Sequence, residues 1–128
     1  ATVDELRAAG DDLVAIGDRL AAAVSDLERA TTWLLQHGAG DPNEALAGAT
    51  PYLRLFSLAM GGWLHGRSAL AARRMLDGGD DGFTPAFLEA KVATARFYAD
   101  NLLPAVHGLL EAVTAGAAEL FSVPSASF

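Results

Sequence analysis

The chain has 128 residues, a formal net charge of −7 and no cysteine. That length suits one domain with a proper core. The missing cysteines exclude a disulfide framework, thiolate-bound zinc and a thiol nucleophile, and the acidic balance argues against a nucleic-acid binder, which carries a basic patch.

Alanine is abundant and β-branched residues are scarce, which favours helix. Residues 3–37 read as one long helix: Leu6, Leu13, Leu20, Leu27 and Leu34 recur every seven residues. Val3, Gly10, Gly17, Val24 and Thr31 hold the companion position, with Ala9, Ile16, Ala23 and Ala30 beside them. Glycines inside a helix cost about 1 kcal/mol each against alanine, so Gly10 and Gly17 predict a closely packed neighbour. Asp4, Arg7, Asp11, Asp18, Glu28 and Arg29 form the solvated face. His37-Gly38-Ala39-Gly40 ends the helix.

Asp41-Pro42 restarts one, with Glu44 placed as in a capping box. This second helix should span 42–76, with a bend near Pro51 or a separate short helix before it, because Pro51 disfavours helical backbone at Thr50. From Tyr52 to Leu64 its apolar residues cover most of the circumference, which predicts burial on several sides between two flanking helices. Arg54, His65 and Arg67 interrupt the run, so it does not read as a membrane span. Ala59, Gly61, Gly62, Gly66 and Ser68 offer a small-residue surface for tight helix contacts. Asp77 to Gly82 is a breaker loop. Thr84-Pro85 opens the last helix, 84–121, which Pro104 should kink or split. The tail, 122–128, should fray. The expected fold is all-α: an antiparallel up-and-down bundle of three long helices, or four if Pro104 breaks the last, forming a single domain over 1–121.

The candidate chemistry is sparse. His37, His65 and His107 are far from one another in sequence, so no paired-histidine metal signature appears and no metal ligand is assigned. The acids of Asp77 to Asp81 lack the ligand pattern of a calcium loop, and Gly61-Gly62 and Gly78-Gly79 follow no strand, so neither is a nucleotide fingerprint. Arg54, Arg67, Arg73 and Arg74 lie on or beside the apolar second helix. Arg54 and Arg67 are expected to pair with an acid such as Glu89 or Asp100; the alternative is an anion site for a phosphate or carboxylate of a partner domain. Trp63 and Tyr98 read as packing residues. Glu89, Asp100, Glu111 and Glu119 could include a base, but no nucleophile or oxyanion donor accompanies them, so no catalytic residue is assigned.

Two segments carry a family resemblance: AGATPYLRLFSLAMGGWLHGRSALAA (47–72) and FLEAKVATARFYADNLLPAVHGLLEAVTAGA (87–117). The Y-L-R-L-F start, the central G-G-W and K-x-x-x-A-R-F-Y-A followed by L-L-P resemble the extra C-terminal helical domain of certain bacterial acyl-CoA dehydrogenases. The acidic heptad helix and the Asp41-Pro42 junction fit as well, so the resemblance covers nearly the whole chain. It implies a parent enzyme of fatty acid metabolism that oxidises an acyl-CoA thioester with FAD and passes electrons to an electron-transfer flavoprotein. It also implies that the catalytic Glu and most cofactor contacts lie in a preceding body, and none is carried onto this segment. The partner would be the dehydrogenase body of the same polypeptide, with a homo-oligomer possible. The chain begins at Ala1 without Met and shows no signal peptide, so a cytoplasmic piece of something longer is expected.

Three functions follow. An accessory domain would leave apolar surface exposed when taken alone. A free-standing bundle would bind a partner helix or self-assemble through the first-helix seam. A small ligand-binding bundle would use a pocket near Gly61-Gly62-Trp63.

Overall fold

The computed structural model describes residues 1–79 and 82–127; Asp80 and Asp81 of the expected breaker loop lie outside them. The elements are α1 (Thr2–Ala8), α2 (Asp11–Gly38), α3 (Pro42–Gly78), α4 (Pro85–Asn101) and α5 (Ala105–Thr114), then two short 3-10 turns at Ala118–Phe121 and Ser125–Ser127. No strand occurs among the described residues. The all-α up-and-down bundle expected from the sequence is what forms. Thr31 meets Tyr52 and Leu20 faces Gly66, so α2 and α3 run antiparallel. Tyr98 meets Leu58, so α4 turns back along α3, and α5 continues it against Gly48. The core between them is Leu13, Ile16, Leu20, Leu55, Ala59, Leu103, Val106 and Val113.

The helix read over 3–37 is two helices. Gly10 takes φ 123° and ψ 157°, a conformation nearly exclusive to glycine, and there the chain reverses. The short α1 folds back on α2 and lays Leu6 into the core. Gly17 is explained by the same reversal: a Cβ there would lie 3.2 Å from Leu6 Cβ and 3.3 Å from the Val3 carbonyl. The close neighbour that the two glycines predict is the chain's own first helix, α1, of about two turns.

Helix α3, by contrast, runs unbroken through Pro51. The ring removes one backbone bond, but the helix is pinned on both sides of it. Gly48 sits where a Cβ would meet the Val113 carbonyl at 2.8 Å, and Leu55 is fully buried. Asp41 caps α3 by accepting from the Asn43 N–H at 2.9 Å. Glu44 is not the capping-box acid; it accepts instead from the Ala117 N–H at 3.2 Å, tying the far end of the chain to the start of α3. The last helix splits at Leu102 to Pro104 and stops at Thr114, short of 121, because Gly116 turns left-handed at φ 80°. The following 3-10 turns are exposed.

The clearest departure concerns which side of α3 is inside. Its buried residues are small ones or single leucines: Gly48, Leu55, Ala59, Gly62, Gly66, Ala69, Leu70 and Ala72. Of the bulky residues expected to be enclosed, Leu55 is buried and Tyr52 and Leu58 pack partly against the core, but Leu53, Phe56, Met60, Trp63 and Leu64 face out. The reason lies in the partners: Leu103 fills the space above Gly62, with its Cδ2 2.8 Å from a would-be Cβ, and Leu6 fills that above Gly66. With α1, α4 and α5 bringing their own large side chains, the bundle closes best on the glycine and alanine stripe.

Candidate functional site

The outward face of α3 is an apolar stripe. Leu53 is 67% exposed, Phe56 41%, Met60 41%, Trp63 40% and Leu64 55%. At 3.6 residues per turn these positions and Arg67 share one side of the helix, about a third of a turn from the buried stripe. Leu46 continues the stripe toward the start of α3 and is also exposed. A row of this kind differs from the scattered single apolar residues that any surface carries.

On its α2 side the stripe borders a groove of about 300 Å³, lined by Val24, Leu27, Phe56, Ala59, Met60 and Trp63. The Trp63 ring is held from below: its indole N–H donates to the Thr2 hydroxyl at 3.0 Å, a bond that exists only because Gly10 returns α1 to this end of the bundle. Above the ring lies Arg67, its guanidinium carbon 5.8 Å from the ring centroid, within range of a cation–π contact. The arrangement is a rigid aromatic wall, an apolar trough and one exposed cation. It can receive an apolar protrusion and a negative group.

The other residues singled out from the sequence are scattered. Neither Arg54 nor Arg67 pairs with Glu89, Asp100 or any other carboxylate among the described residues. Asp100 is taken by Arg96, with a hydrogen bond of 2.5 Å, and by Arg19 at 3.6 Å. The Arg96 hydrogen bond and charge hold the Asp100 carboxyl below its ordinary range. Arg73 binds Asp12, and Arg74 binds Glu5 at 2.8 Å, so both serve to clamp the α1–α2 corner onto α3. Glu89, Glu111 and Glu119 are exposed and stand apart from one another. His37 stacks on Trp33 at 4.2 Å and His65 lies 4.6 Å from the Tyr98 ring. Among the described residues no three potential metal ligands come together, and no helix is long and apolar enough to cross a membrane.

Two features escaped the sequence reading. Asp26 is only 5% exposed, set in the seam between α2 and α5, and is bonded by His107 Nδ1 and by Arg29 Nη1, the latter at 3.0 Å. Its spacing from Ala23 and Ala30, three on and four back, is the signal that would have found it. The other is the hydroxyl bond of Tyr98, a residue read from the sequence as packing only: its O–H donates to the Leu58 carbonyl at 3.1 Å across the space left by Gly61.

Comparison with known proteins matches residues 1–124 to the family described as "Acetyl-CoA dehydrogenase C-terminal like". The chain is similar to 3-methylmercaptopropionyl-CoA dehydrogenase of Ruegeria pomeroyi, 40% identical over 103 residues, which is 80% of this chain and 17% of that protein. It is also similar to butyryl-CoA dehydrogenase of Syntrophomonas wolfei subsp. wolfei, 30% identical over 119 residues, 92% of this chain and 19% of that protein. The chain thus spans less than a fifth of the length of either relative.

Proposed function

The chain belongs to the acetyl-CoA dehydrogenase C-terminal-like family, and from that premise we propose that it is a non-catalytic accessory domain of an FAD-dependent acyl-CoA dehydrogenase. It docks through the outward face of α3 on the catalytic body of the same polypeptide, in an enzyme of the cytoplasm. The observation that carries this reading is the stripe Leu53, Phe56, Met60, Trp63 and Leu64, built on one helix and left only about half covered by the domain's own helices. Such a row marks a surface that another body normally covers.

The chemistry belongs to the body in this reading. FAD, when bound there, supplies the two-electron acceptor for oxidation of the acyl thioester. The α3 groove does not fit that cofactor. A dinucleotide needs donors along its pyrophosphate, whereas the only side-chain N–H among the residues lining the groove is that of Trp63, already given to Thr2. What the groove fits is an apolar protein surface.

Oxidative footprinting tests the reading. Met60 is open in the 128-residue chain, while Met75 is half-buried. In the full polypeptide Met60 should oxidise several-fold more slowly than in the isolated chain, with Met75 changing little. Equal rates at Met60 in the two forms would sink the proposal.

A further inference from the structure

Arg67 is the exposed cation at the edge of the apolar stripe, and among the described residues no carboxylate answers it. The neighbouring arginines differ: Arg73 and Arg74 are held by Asp12 and Glu5. Arg67 instead rests over Trp63, whose own ring is fixed by Thr2. A tryptophan and an arginine side by side, one pre-positioned and the other unpaired, are the residue types that dominate binding energy at protein interfaces. Resting on the docking reading above, we propose that Trp63 and Arg67 are the anchor of the interface. The body presents to them a bulky apolar side chain that enters the groove of Val24, Leu27, Phe56, Ala59, Met60 and Trp63, and a carboxylate beside it that meets Arg67.

Charge complementarity selects this occupant. Covering Trp63 takes Arg67 out of water as well, and a cation removed from water without an anion is strongly disfavoured. A partner surface that is apolar throughout therefore does not suit this face, whereas one with an acid at its margin gains a charge-assisted bond from the planar guanidinium. The relatives supply the room for such a surface, because more than four-fifths of their length lies outside the region this chain matches.

The test uses the full polypeptide with a photoreactive phenylalanine analogue in place of Leu64, which points outward beside Trp63. Mass spectrometry of the cross-linked peptides, with isotopically mixed subunits, identifies what lies opposite. The expected product joins residue 64 to a body peptide containing Asp or Glu, and Arg67→Glu lowers its yield about tenfold, consistent with like charges set against each other at an interface. Arg67→Lys should retain part of the yield. Exchanging the body acid for Arg in the Arg67→Glu background should restore it. Met60→Asp is the second arm. If Met60→Asp abolishes the product while Arg67→Glu leaves it unchanged, α3 docks on the body but the anchor assignment is overturned. If neither variant changes the product, or it joins residue 64 to the same helical segment of another subunit, the docking reading falls as well.

Discussion

Gly61→Ala is the sharpest test of how α3 and α4 fit together. In an isolated helix this change is favourable by about 1 kcal/mol. Here a Cβ at position 61 would lie 2.2 Å from the Tyr98 hydroxyl and 2.8 Å from its Cζ. The phenol must withdraw, and its bond to the Leu58 carbonyl, 3.1 Å long, goes with it. Losing that bond costs about 0.5–1.5 kcal/mol, and forcing an extra methyl into a packed contact costs about 1–3 kcal/mol. Less the helix gain, the variant should be about 0.5–3.5 kcal/mol less stable. At about 2.1 cal/mol/K of unfolding entropy per residue, this corresponds to a Tm lowered by roughly 2–13 °C. The assay is thermal and guanidinium unfolding of the 128-residue chain, followed by far-ultraviolet circular dichroism. Two companions fix the interpretation. Gly108 lies in α5 with nothing within 4 Å of a Cβ, so Gly108→Ala should stabilise by about 0.5–1 kcal/mol. In a Tyr98→Ala background, Gly61→Ala should change sign and stabilise too. If Gly61→Ala raises Tm with Tyr98 intact, the tight α3–α4 contact is wrong.

Three further outcomes are expected. Gly10→Ala should cost about 1–3 kcal/mol, since its φ of 123° is a region other residues occupy only under strain; hydrogen exchange should then quicken in α1 more than in α3. His107→Leu leaves the buried Asp26 with Arg29 alone and should lower stability in urea by about 1–3 kcal/mol, while Asp26→Leu combined with it should recover most of the loss. Burial raises the Tyr98 pKa above its ordinary 10.0. The unfolded chain therefore gives up this proton first as pH climbs. The stability this group contributes is complete below about pH 10 and is lost as pH rises through the folded value. Unfolding of the parent chain and of Tyr98→Phe across pH 9–12, a range set by the phenol's ordinary pKa of about 10, should show the steeper decline in the parent.

Much of the fold was legible because it rests on local signals. Asp41 and Thr84 cap the helices they were expected to cap, the latter accepting from the Phe87 N–H at 3.3 Å, and Pro104 divides the last helix. The break at Gly10 was hidden by the heptad itself: Leu6 and Leu13 stay seven apart whether the helix continues or folds back, and both end in the core. The orientation of α3 was not readable for a related reason. Its large residues and its small ones both recur at helical spacing, so periodicity supports burying either. The choice is made by Leu6 of α1, Tyr98 of α4 and Leu103 of the α4–α5 turn, which fill the glycine positions. The ion pairs of Arg73 and Arg74, for which no partner was assigned, were hidden by distance along the chain. Arg73 and Arg74 find acids 61 and 69 residues away, on a corner that exists only after α1 reverses. Arg67 looked like an ion-pairing point inside the bundle only because its helix was oriented wrongly; once Trp63 faces outward, Arg67 must too.

The same orientation bears on what covers the stripe. Burying one large apolar side chain fully contributes about 1.5–3 kcal/mol. Leu53, Phe56, Met60, Trp63 and Leu64 are already about half covered, so finishing the task yields about 1 kcal/mol each, or about 5 kcal/mol together. Bringing two separate molecules together costs about 4–15 kcal/mol, so the gain from this stripe alone is not enough to hold two free copies together. A body joined through the same backbone presents its surface at an effective concentration on the order of millimolar, which favours it over a free copy at micromolar concentration by about 4 kcal/mol. A margin this narrow makes the interface sensitive. An acid at position 60, or a reversed charge at position 67, would put an unpaired charge into the contact, at a cost comparable to the ~5 kcal/mol that the stripe supplies. If the domain docks as proposed, single substitutions on this one face should therefore undock it while leaving its own fold, which closes on the small-residue stripe about a third of a turn away, intact.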